Sequence, residues 1–326
     1  MLNALLPWWC LPHSHLATEK AMENHRELNV VTGAFGYTGK YITRRLLGRG
    51  IAVRTLTGHP DRPNPFGDAV EIYPFNFDKP EALTEHLRGA TTVFNTYWIR
   101  FVRGDLTFER AVRNIETLIE AARRAGIRRF VHISITNASA DSPLPYFRGK
   151  GIIENFLRGA GISHAIVRPA VIFGHEDILI NNIAWSLRKF PFFTVPGDGN
   201  YRLQPVFVED LAELMLNAAQ ETKNLEIDAV GPETFTFNEL VQLLARTVGR
   251  RAYLIHVSPT IALAFAAMIG FATRDVTLTQ DEVRGLSANL LISHQRPTAV
   301  TRLTDWLVQH ASTIGTRYAS ELAKRA

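Results

Sequence analysis

The 326-residue chain predicts a doubly wound parallel α/β sheet with a smaller mixed α/β lobe towards its C-terminal end. Three observations carry that prediction. An apolar run at 28–31 leads through a glycine-rich turn into an amphipathic helical pattern. Short apolar runs then alternate with helical patterns at βαβ spacing as far as Arg168, which implies parallel strands covered on both faces. Past Pro169 the alternation loosens into proline- and glycine-rich loops, short strands and helices.

The opening unit reads Asn29-Val-Val-Thr-Gly-Ala-Phe-Gly-Tyr-Thr-Gly39. Leu28 to Val31 suits a strand buried on both faces, and Ile42, Leu46 and Leu47 share one face of the helix that follows. Between them stand Gly33, Gly36 and Gly39, spaced G-x-x-G-x-x-G and preceded by Thr32. Gly33 allows a tight turn, Gly36 lets backbone approach a pyrophosphate, and Gly39 lets helix and strand close up. The helix start offers unpaired N–H groups and a positive dipole end to phosphate. This is the pattern of a Rossmann-type dinucleotide site, with Thr32, Gly33, Phe35, Gly36, Tyr37, Thr38 and Gly39 against the cofactor. A glycine triplet alone also occurs in ordinary βα turns; the flanking strand and helix favour the nucleotide.

Residues 1–27 read as an N-terminal extension, 28–170 as the nucleotide-binding domain, and 171–326 as a lobe interleaved with it. The apolar start, Met1 to Cys10, is short and no basic residue precedes it, so it matches neither a secretory signal nor a membrane span. The extension is expected to be poorly ordered, with Met22 an alternative start.

The second strand, Ala52 to Leu56, ends at Thr57 and enters a loop dense in turn formers up to Gly67. A carboxylate at this strand end binds the ribose 2′-OH of NAD, whereas a basic residue accommodates the 2′-phosphate of NADP. Thr57 has no adjacent carboxylate, and His59 and Arg62 follow closely. NADP is therefore the expected cofactor, with NAD open and plain loop surface the alternative for both basic residues. The third strand is Val70 to Pro74, and Asn76 and Phe77 fall where an adenine ring would lie. Asp78 and Pro80 mark a helix start, and the fourth strand, Thr92 to Thr96, runs into Tyr97 and Trp98. A helix over about 106–125 stops at Gly126, the fifth strand is Arg129 to Ser134, the next helix Tyr146 to Gly159, and the sixth strand Ser163 to Arg168. In the second lobe Ile261 to Ala272 is strongly apolar but too short to span a bilayer. A core helix is the default there, with an exposed interface or a peripheral membrane contact as the alternative. Thr304 to Arg325 reads as a surface helix.

Composition bounds the function. One cysteine, Cys10, allows no intrachain disulfide and no Cys-rich zinc site, so a reducing, cytoplasmic setting is expected. The net charge of +5 comes from scattered basic pairs without interleaved aromatics, which argues against nucleic acid. His164 and His175 stand apart from other ligating residues, so no metal is expected; His132 reads as a packed core histidine, and Glu209 and Asp210 as helix caps. Arg202 follows a glycine loop and reads equally as an anion contact or a solvated side chain.

Tyr146 and Lys150 sit four apart at a helix start and so share one face. An ammonium beside a phenol eases proton transfer, and Lys150 is also placed to hold a cofactor ribose. Ser134 and Thr136 leave the C-terminal end of the fifth strand, the edge where open α/β sheets bind ligands. Trp98 and Phe101 either wall the nicotinamide pocket or simply pack.

With Thr32-Gly-Ala-Phe-Gly-Tyr-Thr-Gly39, Arg129-Phe-Val-His-Ile-Ser134, Tyr146-Phe-Arg-Gly-Lys150 and Val167-Arg-Pro169, the chain resembles the short-chain dehydrogenase/reductase superfamily. Pro145 to Arg148 and Gly197 to Val206 are most similar to its atypical group around the nucleotide-binding accessory subunit of respiratory complex I, whose bacterial members are often labelled nucleoside-diphosphate-sugar epimerases. The resemblance spans about residues 28–325. It implies acid/base work for Tyr146, cofactor positioning for Lys150, and carbonyl polarisation for Ser134 or Thr136, the alignment favouring Thr136. Asn114 looks like the asparagine of the extended branch, and Thr96, Tyr97, Pro169 and Val171 are carried over as cofactor contacts. The gap between Thr136 and Tyr146 is short and holds Pro143 and Pro145, unlike the substrate loop of sugar epimerases. Three outcomes stay open: an NADP(H)-dependent oxidoreductase or epimerase of a small carbonyl, carbinol or nucleotide sugar; a non-catalytic cofactor-binding sensor or assembly protein; and a peripheral membrane or complex partner.

Overall fold

The computed structural model describes residues 27–320 and 322, so the order of the N-terminal extension lies outside the described residues. Strands β1 (Leu28–Thr32), β2 (Ala52–Thr57), β3 (Val70–Pro74), β4 (Thr92–Asn95), β5 (Arg129–Ile133) and β6 (His164–Pro169) lead the chain. Helices α1 (Tyr37–Gly48), α2 (Pro80–Leu87), α3 (Phe108–Arg124) and α4 (Pro145–Gly159) connect them. Beyond lie β7 (Val171–Phe173), α5 (Leu179–Lys189), β8 (Phe192–Pro196), β9 (Arg202–Leu203), β10 (Pro205–Phe207) and α6 (Val208–Gln220). The chain continues through β11 (Leu225–Ala229), β12 (Phe235–Thr236), α7 (Phe237–Thr247), β13 (Tyr253–Val257), α8 (Pro259–Thr273), α9 (Gln280–Ser287) and α10 (Leu303–His310).

Seven parallel strands form the main sheet in the order β3-β2-β1-β4-β5-β6-β11. Its residues alternate between two apolar layers, as strands covered on both faces require. Val30, Val93, Phe130 and Ile166 pack with Leu83, Ile115 and Leu157 of α2, α3 and α4. Val31, Phe94, Val131 and Val167 pack with Ile42 of α1 and Leu211 and Met215 of α6. The strand order reverses between β1 and β4, and the crevice outside the carboxyl ends of the strands forms at that switch point.

The second lobe is woven into the first, because β11 and α6 come from its sequence yet join the main sheet. Glu209 and Asp210 stand in the first turn of α6, but neither side chain caps it. Glu209 pairs with Arg45 of α1 at 3.0 Å, and Asp210 accepts the N–H groups of Val300 and Thr301. The rest of the lobe gathers the pairs β7–β10, β8–β13 and β9–β12 around Phe173, Leu187, Leu203, Leu240 and Trp306.

Two expectations are corrected here. Of the surface helix expected over Thr304 to Arg325, the described residues form only α10, and Leu303, Trp306 and Leu307 bury one of its faces in the second core; 321 and 323–325 lie outside the described residues. At Gly315 an added Cβ would stand 2.4 Å from the backbone nitrogen of Trp185, so the chain turns back closely against α5 instead of continuing. The run from Ile261 to Ala272 is helical but is not a core helix. In α8 the small residues Ala262, Ala266 and Gly270 face inward, while Ile261, Phe265, Met268 and Phe271 are exposed. A Cβ on Gly270 would meet the carbonyl oxygen of Asp275 at 2.6 Å, so the helix seats on its narrow edge. Uniform apolarity along α8 leaves no face signal in the sequence to predict this.

Candidate functional site

At the switch point Gly33 adopts φ +66° and donates its N–H to Leu56 of β2 at 2.8 Å, which turns the chain sharply off β1. A Cβ on Gly39 would stand 2.2 Å from the Gly33 carbonyl oxygen, so only glycine lets α1 pack this close to the turn. Helix α1 begins after Gly36 with no side-chain cap and no acidic residue in its first turn. Its positive end is therefore left for an external anion, the requirement of a pyrophosphate site. The hydroxyl of Thr32 accepts the N–H groups of Thr96 (2.8 Å) and Tyr97 (3.0 Å) and donates to Asn95, which ties β1 to β4 at the crevice. Thr32 and Gly39 thus shape the turn from behind and do not line the cleft.

A cleft of about 2020 Å³ opens at this edge between the sheet and the second lobe. Drug-sized pockets measure roughly 300–1,000 Å³, so the cleft is larger than one such ligand needs. Gly33, Phe35, Gly36, Tyr37 and Thr38 form its phosphate side. At the far end lie Thr57, His59 and Arg62, the Thr57 hydroxyl accepting the His59 N–H at 3.1 Å. Phe75 and Phe77 stack at 4.7 Å, and Tyr97 approaches both within 5.1 Å. Asn76 between them has φ +49°, a conformation that asparagine tolerates better than most residues. Thr96, Tyr97, Pro169 and Val171 also line the cleft. So does Asn114, whose amide donates to the Tyr97 hydroxyl at 2.8 Å.

The third wall is the start of α4. Tyr146, Lys150 and Glu154 recur every four residues along one face, and Tyr146 and Lys150 line the cleft. Edge-on contacts with Trp98 (5.8 Å) and Phe108 (6.0 Å) fix the Tyr146 ring. The Lys150 amine donates to the Ile133 carbonyl at 2.6 Å and lies 4.7 Å from the centre of the Trp98 ring. Trp98 comes this close because position 149 is glycine, where a Cβ would meet the indole at 2.7 Å. Burial pushes the Lys150 pKa down to about 7, although Glu154 favours its charged form.

Ser134 lines the cleft, but its hydroxyl donates to Glu154 at 2.6 Å. Thr136, the position favoured by alignment, lies outside the cleft wall, and its hydroxyl donates to the Leu290 carbonyl at 2.8 Å. His132 is fully buried beside the Asn95 amide, and burial lowers its pKa. Among the described residues no three His, Cys, Asp or Glu side chains gather as a metal site. Arg202, on β9, is exposed and not part of the cleft. The sequence reading missed Glu154, although the spacing of Tyr146, Lys150 and Glu154 on one helical face was visible in it. It also missed the second-lobe wall of Trp185, Phe192, Phe193, Phe265 and Met268, which carries no local signal.

Comparison with known proteins agrees with this geometry. The NAD(P)H-binding family matches residues 33–180. Subunit 9 of the NADH dehydrogenase [ubiquinone] 1 alpha subcomplex from Arabidopsis thaliana is 26% identical over 284 residues, 81% of this chain and 70% of the relative. The 4-hydroxy-2-methyl-3-oxo-4-farnesyl-3,4-dihydroquinoline-1-oxide ketoreductase of Stigmatella aurantiaca is 30% identical over 268 residues, 74% of this chain and 78% of the relative. The chain belongs to the atypical, NAD(P)H-binding short-chain dehydrogenases/reductases. The fold agrees as well: the NADPH-dependent quinone oxidoreductase QOR2 of Escherichia coli, solved with NADPH, superposes with a TM-score of 0.67 at 17% identity, covering 86% of this chain and 99% of that one.

For this family member the buried lysine has a measurable consequence. The folded pKa of Lys150, about 7, lies below the unfolded value, so between the two the unfolded chain binds the extra proton. Stability therefore rises with pH through that window, and below it the full cost of burying the ammonium is present. Lys150→Met keeps the length of the stem without the charge and is expected to gain about 2 kcal/mol at acidic pH, after the lost hydrogen bond is discounted. The gain should fade as pH approaches the unfolded lysine value. Thermal melts of both proteins across that range test it; a difference independent of pH would refute the assignment.

Proposed function

We propose that this chain binds NADP(H) in the cleft and reduces the carbonyl of an apolar ring compound, of the ketone or quinone class, in a reducing compartment such as the cytoplasm. The observation that carries the reading is that Tyr146 and Lys150 share one face of α4 and line the same cleft as the glycine turn before the uncapped start of α1. The cofactor, when bound, supplies the hydride. Tyr146 gives its phenolic proton to the carbonyl oxygen as that oxygen gains charge, and it is reprotonated from solvent. Lys150 holds the ribose and keeps positive charge near the phenolate. Trp98, Phe101, Trp185, Phe192 and Phe193 wall the substrate end, which supports an apolar ring over a sugar. The Stigmatella relative is named for a farnesylated quinoline ketone, a substrate of the same character.

The phosphate preference rests on Thr57, His59 and Arg62 at the end of β2. A charge-assisted hydrogen bond contributes about 1.5–3 kcal/mol, so NADPH is expected to bind roughly tenfold or more tightly than NADH. The His59→Ala, Arg62→Ala double variant should bring the two affinities together. A fluorescence titration decides it, and equal affinities in the wild type would overturn the NADP assignment.

A second reading has an observation in its favour. Both hydroxyls that follow β5 are engaged within the protein, Ser134 by Glu154 and Thr136 by the Leu290 carbonyl. That suits a cofactor held without turnover inside an assembly, and the Arabidopsis relative is named as a subunit of a subcomplex. Loss of NADPH absorbance with a panel of quinones and apolar ketones separates the two. No oxidation with any of them would favour the assembly reading.

A further inference from the structure

We infer that helix α8 and the rim of the cleft beside it form a docking surface for an anionic lipid bilayer. The helix is inverted relative to an ordinary amphipathic one. Its narrow face, Ala262, Ala266 and Gly270, is buried, whereas Met268 is 66% and Phe271 89% exposed, with Ile261 and Phe265 on the same outer side. Those positions recur at three- and four-residue spacing, so they form one stripe about three turns long. Large apolar side chains arranged in a continuous outward stripe mark an interaction surface, because water solvates them poorly.

The stripe continues into the cleft. Ala262, Phe265, Met268 and Ile269 line the cleft, and Phe190 and Phe192, both exposed, rim it from the α5–β8 side. Tyr253 and Ile255 extend the apolar surface along β13, the strand paired with β8. A molecule dissolved in the acyl region beneath this surface would meet the cleft without crossing water.

Charge selects the occupant. No Asp or Glu stands between Glu239 and Asp275, a stretch that holds the whole of β13 and α8. Exposed cations flank the apolar surface instead: Arg250 and Arg251 just before β13, Arg274 capping α8, and Lys189 next to Phe190. An apolar face edged by cations complements anionic headgroups above an acyl layer. A second copy of the chain would bring the same cations to the contact, which like charge opposes. Among the described residues no helix is long and apolar enough to cross a membrane, so the contact is one of lying on the surface.

The test uses the full chain and vesicles of phosphatidylcholine, with and without phosphatidylglycerol, in a flotation assay. The wild type is expected to float with the anionic vesicles, less with the neutral ones, and less again at high salt. The double variant Ile261→Glu, Phe271→Glu changes two exposed side chains that lie outside the cleft wall and should leave the thermal melt and NADPH affinity intact. It is expected to reduce partitioning about tenfold or more. Wild-type protein that stays with the solution overturns the proposal. So does a double variant that floats as well as wild type, since the binding would then belong to another segment. A wild-type dimer that the double variant splits would assign the face to a second copy instead.

Discussion

Replacing Tyr146 by Phe is expected to lower turnover about a hundred- to ten-thousand-fold while leaving NADPH affinity within about twofold, the range seen when a positioned proton donor is removed. In the proposed reaction the ring contributes packing and the hydroxyl contributes the proton, and the substitution separates them. Trp98, Phe108 and Phe147 surround the ring at 5.7–6.0 Å, and phenylalanine keeps all three contacts. A loss of activity would therefore report the missing proton, not a displaced helix. The loss should fall on kcat, because the phenol acts as the carbonyl oxygen gains charge and contributes little to ground-state binding. Steady-state kinetics on the best substrate of the quinone and ketone panel decide it. A variant retaining more than about a tenth of wild-type turnover would remove Tyr146 from the chemistry, because a positioned general acid typically contributes about a hundredfold or more. Ser134→Ala is the companion measurement. With its hydroxyl committed to Glu154, it should change turnover far less.

Glu154→Ala is expected to be the most destabilising single change at the site, by about 3–5 kcal/mol, because it strands buried charge. The carboxylate is almost fully buried on α4. One of its oxygens accepts from Ser134 and from Arg168 Nε at 2.8 Å; the other accepts from Arg168 at 2.7 Å and Arg158 at 3.0 Å. Arg158 and Arg168 are shared with Glu226, whose pKa they hold down to about 2. Removing Glu154 leaves Arg168 with only its more exposed partners and orphans the Ser134 hydroxyl. The unfolding entropy grows with chain length, so each kcal/mol costs roughly 1.5 °C in a chain of this size and the melting temperature should drop by about 4–7 °C. Glu154→Gln keeps shape and an acceptor for Ser134, so it should lie between the two. Calorimetry on the three proteins checks the order. Equal melts for wild type and the alanine variant would mean that solvent already screens the cluster.

Much of the cofactor half was legible because its determinants are local. Gly33, Gly36 and Gly39 lie within seven residues, and the turn they build follows from backbone sterics that neighbours in sequence decide. The βαβ alternation reads directly as a parallel sheet because a strand covered on both faces must be apolar along its whole length. Tyr146 and Lys150 share a wall because four residues make about one helical turn. Other placements were not legible. Alignment favoured Thr136 over Ser134, but contacts with other segments turn the Thr136 hydroxyl to the Leu290 carbonyl and the Ser134 hydroxyl to Glu154. The apolar run at α8 was expected in the core, since hydrophobicity without a periodic gap does not say which face is inside.

The sequence by itself determined the sheet, the glycine turn, the uncapped helix start and the helical face that carries Tyr146 and Lys150. Each of these follows from steric and periodic rules acting over a few neighbouring residues. Only the tertiary structure decided that Glu154 ties up Ser134, that the cleft's far wall comes from residues 185–193 and 262–269, and that α8 turns its large side chains outward. Those outcomes depend on which surfaces meet when distant segments pack. Such meetings are set by complementarity of shape and charge over the whole chain, which no short window of residues contains.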